Sequence, residues 1–304
     1  MTNHAFSQVD VFASRSLGGN PLAVVHDADD LPELALSRFA NWTNLSETTF
    51  LLAPTTPEAD YRVRILTPDR ELPFAGHPTL GSAHAWLEAG GTPRTPGVVV
   101  QECTAGLVTL RHDAESGALA FAGPPFVRTG DVAAADLAAI TTVLGISRED
   151  VLASQWVDNG PGWVGLLLRD AALVSDLTPD LSALGDFTIG VIGAIPRAAA
   201  PIDGGVPVAM GSGASDGTGN LPVPDFEVRA FFPQGSGGME DPVTGSLNAG
   251  LAQWLIGAGL APESYIASQG TALGRAGIVT VERIGEDVWV GGTTRTVVRG
   301  TVDL

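Results

Sequence analysis

The chain has 304 residues, enough for two domains or one large one, and 44% of them are apolar, so a sizeable core can form. With 16 basic against 34 acidic residues the formal net charge is −18, a field that repels nucleic acid and anionic membrane surfaces. Every basic residue is arginine, which removes Schiff-base and lysine-dependent phosphate chemistry, and the lone Cys103 excludes an intrachain disulfide, a four-cysteine zinc site and a two-thiol catalytic pair.

The N-terminus has no basic stretch followed by an apolar one, and no run of about 18 apolar residues follows, so the expectation is a soluble cytoplasmic protein. Period-2 alternation begins with Phe6–Phe12. A helical pattern covers Pro32 to Asn44, and an apolar strand starts near Thr48, followed by a strand at Tyr61–Leu66. A helix is predicted after Pro78, to about Ala89. Strand patterns follow at Val98–Glu102 and Leu107–Arg111. A helix over Ala133–Leu144 stops at Gly145, and Ser147 to Asp150 reads as a capping box opening a short helix. Trp163–Leu168 and Phe226–Phe232 read as strands, separated by a Gly-, Ser-, Pro- and Asp-rich loop, Asp203 to Asp225, that is either filler or a lid. A second nearly uncharged helix follows Pro242 to about Ala258. The chain closes with strands at Gly277–Arg283, Val288–Val290 and Thr296–Val302.

The two uncharged helices form an internal repeat. Pro78-Thr-Leu-Gly-Ser-Ala-His-Ala85 lies over Pro242-Val-Thr-Gly-Ser-Leu-Asn-Ala249, an offset of 164 residues. A helix apolar around most of its circumference is buried on all sides. The expectation is therefore two similar halves, each a sheet wrapped around its own helix. On this alignment Gly81 and Gly245 both lie in a first turn, where free N–H groups and the dipole suit a carboxylate. His77 and Asp241 then fall at equivalent helix mouths, as an acid/base or orienting pair. The plainer reading makes Asp241 an N-cap and His77 a loop residue. Glu47, between the first helix and the strand from Thr48, reads on its own neighbourhood as a surface carboxylate, because glutamate is rarely buried unpaired.

Other motifs fail on context. Gly213-Ala-Ser215-Asp-Gly217 matches G-x-S-x-G, but the proline-containing segment after it cannot be the required helix. His77 and His84 are too far apart on a helix for one zinc, so no metal site is expected. No dinucleotide fingerprint appears, so no cofactor is expected. Cys103 reads as a small core residue.

Seven segments together carry a family resemblance. They are Val9-Asp-Val-Phe12, Gly19-Asn-Pro-Leu-Ala-Val-Val25, Ser46-Glu-Thr-Thr-Phe50, Phe74-Ala-Gly-His-Pro78, Glu240-Asp-Pro-Val-Thr-Gly-Ser246, Gln269-Gly270 and Val290-Gly-Gly292. With them the chain resembles the PhzF-like phenazine biosynthesis isomerases, within the diaminopimelate epimerase-like fold. The resemblance implies an α+β fold of two pseudo-symmetric halves. Each would be a curved, mainly antiparallel, barrel-like sheet around a central helix, with the active site in the cleft between them. The expected boundaries are 1–125, with a helix near 78–89, and 126–304, with a helix near 243–258 and a last strand free to cross back to the first half.

The resemblance moves Glu47 from the surface to the position of the family's catalytic glutamate. It carries the other catalytic positions onto His77 and Asp241, and substrate binding onto Gly76, Gly245 and Ser246. It implies a cofactor-independent isomerase, an enzyme that moves a proton between carbons of a small cyclic or unsaturated carboxylic acid. The family's best-known substrate is trans-2,3-dihydro-3-hydroxyanthranilate. The alternatives are a racemase or epimerase of a small hydroxy or amino acid, with Asp241 or His77 as second base, and a non-catalytic ligand-binding or interaction module. The expected partner is a small carboxylic acid, with no nucleic acid and no membrane, and the expected assembly is a homodimer. Leu247, where relatives often have a small residue, and the loop near Ser215 are the departures expected to reshape the pocket.

Overall fold

In a computed structural model, which describes residues 2–196, 222–235 and 237–304, the chain divides into two units. One is Met1–Ala122 with Gly291–Leu304; the other is Gly123–Val290. Residues 203–221 of the expected loop, including Ser215, lie outside the described residues. Among the described residues no helix is long and apolar enough to cross a membrane.

The first unit runs β1 (Asn3–Val11), β2 (Asn20–Val25), α1 (Glu33–Thr43), β3 (Thr48–Leu52), β4 (Tyr61–Leu66), β5 (Glu71–Leu72), α2 (Gly76–Glu88), β6 (Val98–Cys103), β7 (Gly106–His112) and β8 (Leu119–Ala122). β1 and β2 are antiparallel, α1 connects β2 to a parallel β3, and β4 returns antiparallel. β5 pairs antiparallel with β4. After α2 the chain lays β6 parallel to β4 and continues antiparallel through β7 and β8. The C-terminal strand, Thr294–Asp303, pairs antiparallel with β1.

The second unit opens with β9 (Arg128–Gly130) and α3 (Ala134–Leu144) and then repeats the same order. Its elements are β10 (Val151–Asp158), β11 (Trp163–Leu168), α4 (Ala171–Asp176), β12 (Thr188–Ala194), β13 (Phe226–Gln234), β14 (Gly237–Asp241), α5 (Gly245–Gly257), β15 (Ser264–Gln269), β16 (Gly277–Ile284) and β17 (Asp287–Gly292). Here too β11 and β12 are parallel, β13 is antiparallel to both β12 and β14, and β15 is parallel to β13. The C-terminal strand is β18.

The central helices are buried for the reason their composition suggests. α2 packs against β1, β2, β3, β4, β6, β8 and β18, and nine of its thirteen residues are buried. α5 packs against β10, β11, β12 and β16, with ten of thirteen buried. The amphipathic helix α1 instead lies on its sheet through Leu36, Phe39 and Ala40, over Val25, Phe50 and Leu66. It ends on Asn44, which adopts the left-handed conformation at φ 53°. α3 stops on Gly145 at φ 70°, as its sequence predicts. The Ser147–Asp150 capping box is present but opens only a single 3₁₀ turn, Arg148–Asp150.

The structure changes the internal alignment. The helices begin at Gly76 and Gly245, an offset of 169 residues rather than 164. His77 therefore matches Ser246, the second residue of each helix, and not Asp241. Gly81 is not at a helix mouth. It is the sixth residue of α2, and Gly250 is its match in α5. Both are close-approach glycines. A Cβ on Gly81 would come within 2.5 Å of Leu22 and 2.9 Å of Val11; one on Gly250 would come within 2.5 Å of the Val157 carbonyl. The proline-based alignment failed because Pro78 sits inside the first turn of its helix, whereas Pro242 stands before its helix.

Two further expectations change. Leu247 is fully buried in the second unit, where a Cβ on Gly190 would come within 2.1 Å of its Cδ1, so it fills core space made by a glycine. Cys103 is half-buried rather than core, because it closes β6 at the turn into β7. Burial pushes its thiol pKa up.

Candidate active site

In the first unit the candidate groups gather at the start of α2. Gly76 is its first residue and His77 its second; both are buried. Glu47 reaches the same place from the other direction. The turn after Asn44 leads straight into β3, where the Thr43 and Thr48 hydroxyls bond at 2.8 Å. One residue on, the buried Ser82 hydroxyl of α2 donates to Thr49 Oγ1 at 3.0 Å. That bond fastens β3 to α2 beside Glu47. Glu47 Oε2 lies 3.4 Å from His77 Nε2, with the glutamate side chain 15% exposed.

Burial alone lowers the His77 pKa to about 3, so the ring is neutral at pH 7. The contact has ion-pair geometry but is a neutral imidazole facing a carboxyl group. Behind the ring, Asn20 Nδ2 lies 3.4 Å from His77 Nδ1. Asn20 enters β2 from a loop shaped by Asp10, whose buried carboxylate accepts from the Gly18 and Gly19 N–H groups at 3.0 and 2.9 Å. Gly19 must be glycine, since a Cβ there would sit 2.0 Å from the Val11 carbonyl oxygen.

In the second unit the corresponding groups stand at the start of α5. Thr244, not Asp241, is the N-cap residue. Asp241 ends β14 and accepts a hydrogen bond from the Thr244 hydroxyl. Gly245 opens the helix, whose first-turn N–H groups have no helical partners. Ser246 Oγ accepts from Trp163 Nε1 at 3.0 Å, and the Ser246 carbonyl accepts from Asn159 Nδ2 at 2.9 Å. The buried Gln269 holds this corner together. Its Nε2 donates to the Asp241 carbonyl at 3.2 Å and to Thr244 Oγ1 at 3.0 Å. Its Oε1 accepts from Thr244 N at 3.1 Å and Asn248 Nδ2 at 2.8 Å. Glu240, next to Asp241, is clamped by the buried Arg229 at 2.8 and 2.7 Å. Arg229 also donates to the Leu177 carbonyl at 2.7 Å, beyond the end of α4.

In the second unit β12 opens on Thr188, with Asp186 two residues before it. Among the described residues no three His, Cys, Asp or Glu side chains gather as a metal site.

The sequence profile of the phenazine biosynthesis-like proteins matches residues 9–300. The chain belongs to that family. It is 34% identical to antisense-enhancing sequence 1 of Schizosaccharomyces pombe over 99% of both chains. It is also 36% identical to the trans-2,3-dihydro-3-hydroxyanthranilate isomerase of Pseudomonas fluorescens, over 60% of this chain and 64% of that protein. The fold agrees with a crystal structure of a PhzF-family protein from Enterococcus faecalis. The TM-score is 0.74, at 24% identity and with both chains fully covered.

Sequence reasoning placed Glu47, Gly76 and His77 as candidates, and the fold brings them together; it also brings Asp241, Gly245 and Ser246 together at α5. It assigned no role to Asn20 or Gln269. Both stand in motif segments of this PhzF-like chain, beside glycines where a Cβ would be obstructed: Gly19, and Gly270, at φ 91°, where a Cβ would come within 2.6 Å of the Pro242 carbonyl oxygen. That pairing of a polar residue with an obligatory glycine is the signal that could have found them.

Proposed function

We propose that this protein is an isomerase that moves a proton between two carbons of a small unsaturated or cyclic carboxylic acid, with Glu47 as the base. The observation that carries this reading is the Glu47 carboxyl held 3.4 Å from a buried, neutral His77 at the start of α2. The C–H bond breaks, its electron pair delocalises into the conjugated acid, and the proton passes to Glu47, which returns it to a second carbon. Asp241 and Ser246 bind the substrate's polar groups, and the Gly245 N–H end of α5 takes the carboxylate, where the helix dipole favours negative charge. Gly76 leaves room for close approach at the other helix start.

An imidazole with so low a pKa is a weak base, so His77 is poorly suited to be the second base that a racemase needs. Kinship to a named dihydrohydroxyanthranilate isomerase makes trans-2,3-dihydro-3-hydroxyanthranilate the first acid to try. The reading needs no added cofactor, and includes a cytoplasmic homodimer, which light scattering and cell fractionation check.

The test is turnover in heavy water by purified protein with no metal or nicotinamide added. Product of unchanged composition, carrying deuterium at the accepting carbon or label passed from the donor carbon, supports the proton shift. A product differing by two hydrogens, or tight binding of such an acid without turnover, overturns it.

A further inference from the structure

Resting on the reading of Glu47 as the base, we infer that Asn20 is a positioning residue: its carboxamide holds His77 in the Nε2–H tautomer and so aims a neutral donor at Glu47. A neutral imidazole has only two tautomers, and what each nitrogen meets decides between them. At Nδ1 it meets the Asn20 carboxamide nitrogen at 3.4 Å, which can only donate. Nδ1 is then the acceptor, and the ring proton resides on Nε2, 3.4 Å from Glu47 Oε2. Long separations of this kind shorten when substrate closes a site.

The surroundings favour a fixed ring. Asn20 is fully buried and His77 nearly so. The asparagine cannot drift, because Asp10 pins Gly18 and Gly19 just before it and its backbone is paired with Val11 in the β1–β2 ladder. His77 cannot drift because it is in the first turn of α2. The consequence for the reaction is directional. A donor on Nε2 holds one Glu47 oxygen and leaves the other to face the substrate carbon. The opposite tautomer would present a lone pair to the carboxylate and push it away.

The test is nitrogen-15 NMR of histidine-labelled protein without substrate, with His77 assigned by its loss in His77→Gln. The expected result is a pyridine-type Nδ1 and a pyrrole-type Nε2. A protonated Nδ1 overturns the inference, whichever acid proves to be the substrate, so its failure is distinct from that of the proposed function. Asn20→Asp replaces the donor by an acceptor. It should move the ring proton to Nδ1 and lower kcat about tenfold or more with little change in KM, as loss of outer partners that orient an imidazole does. An unchanged tautomer or kcat in that variant also overturns it. If Asn20→Asp does not fold, the spectrum of the unaltered protein decides alone.

Discussion

Just before β3 the first unit holds Glu47, whereas β12 of the second unit opens on Thr188. At the second position of the central helix the pair is His77 and Ser246; at the fourth it is Thr79 and Asn248. In both units a glutamine from the strand after the helix bonds the fourth residue: Gln101 reaches Thr79, and Gln269 reaches Asn248. The frame is repeated while the polar groups differ, with Glu47 and His77 at one helix start and Ser246, Asn248 and Asp241 at the other. The duplicated scaffold keeps its residue type at the glutamines that tie the frame, Gln101 and Gln269, and changes it at the second helix position, from His77 to Ser246.

The sharpest way to break this comparison is to exchange its two ends. Glu47→Gln should lower turnover by roughly 10²–10⁴-fold, the range of general base catalysis, with the fold intact by circular dichroism. Thr188→Val should stay within a few-fold of the parent. Equal losses in steady-state assays would mean that the two positions are not functionally distinct.

The glutamines come next. Gln269 satisfies four hydrogen bonds and Gln101 two, one from Tyr61 and one to Thr79. Each buried polar group left without a partner costs about 1–3 kcal/mol. Gln269→Leu should therefore lower unfolding free energy in urea more than Gln101→Leu does, and should weaken substrate binding by loosening Asp241 and Thr244.

A smaller contrast lies at the close-approach glycines. Overpacking costs about 1–3 kcal/mol. Gly250→Ala should destabilise more than Gly81→Ala, because the first meets a backbone carbonyl and the second meets side-chain methyls that can turn aside. Urea midpoints that rank them the other way would remove the distinction.

The smallest effect is on pH dependence. The folded pKa of His77 is depressed to about 3 from 6.5, so between these values the unfolded chain binds the extra proton. Its contribution is present above pH 6.5 and is lost as pH falls, with a slope of up to about 1.4 kcal/mol per pH unit. His77→Gln should flatten the stability profile between pH 6.5 and 5 relative to the parent, whereas the second unit, with Ser246 at that place, contributes nothing of the kind.

Much of the frame was legible locally. Strands whose side chains alternate between core and solvent, such as Tyr61–Leu66 and Gly277–Ile284, show it in their period. The runs Asn20–Val25 and Thr188–Ala194 show no alternation, because a parallel neighbour and a packed helix bury both their faces. The two central helices declared themselves by lacking charge, and their common ancestry of pattern was visible. Its register was not, since a proline is compatible with either side of a helix start.

The sequence by itself determined the element types, the two-fold plan, the absence of lysine and thiol-pair chemistry, and the residues that carry the family pattern. Those properties reside in composition, periodicity and short motifs, each readable within a few residues. Only the tertiary structure decided that Glu47 meets His77, that Asn20 stands behind the ring, that Gln269 ties Asp241 to Thr244, and that Leu247 fills the space over Gly190. Those contacts join residues on separate elements. Burial, which sets the charge state of His77, depends on everything packed around it rather than on its neighbours in the chain.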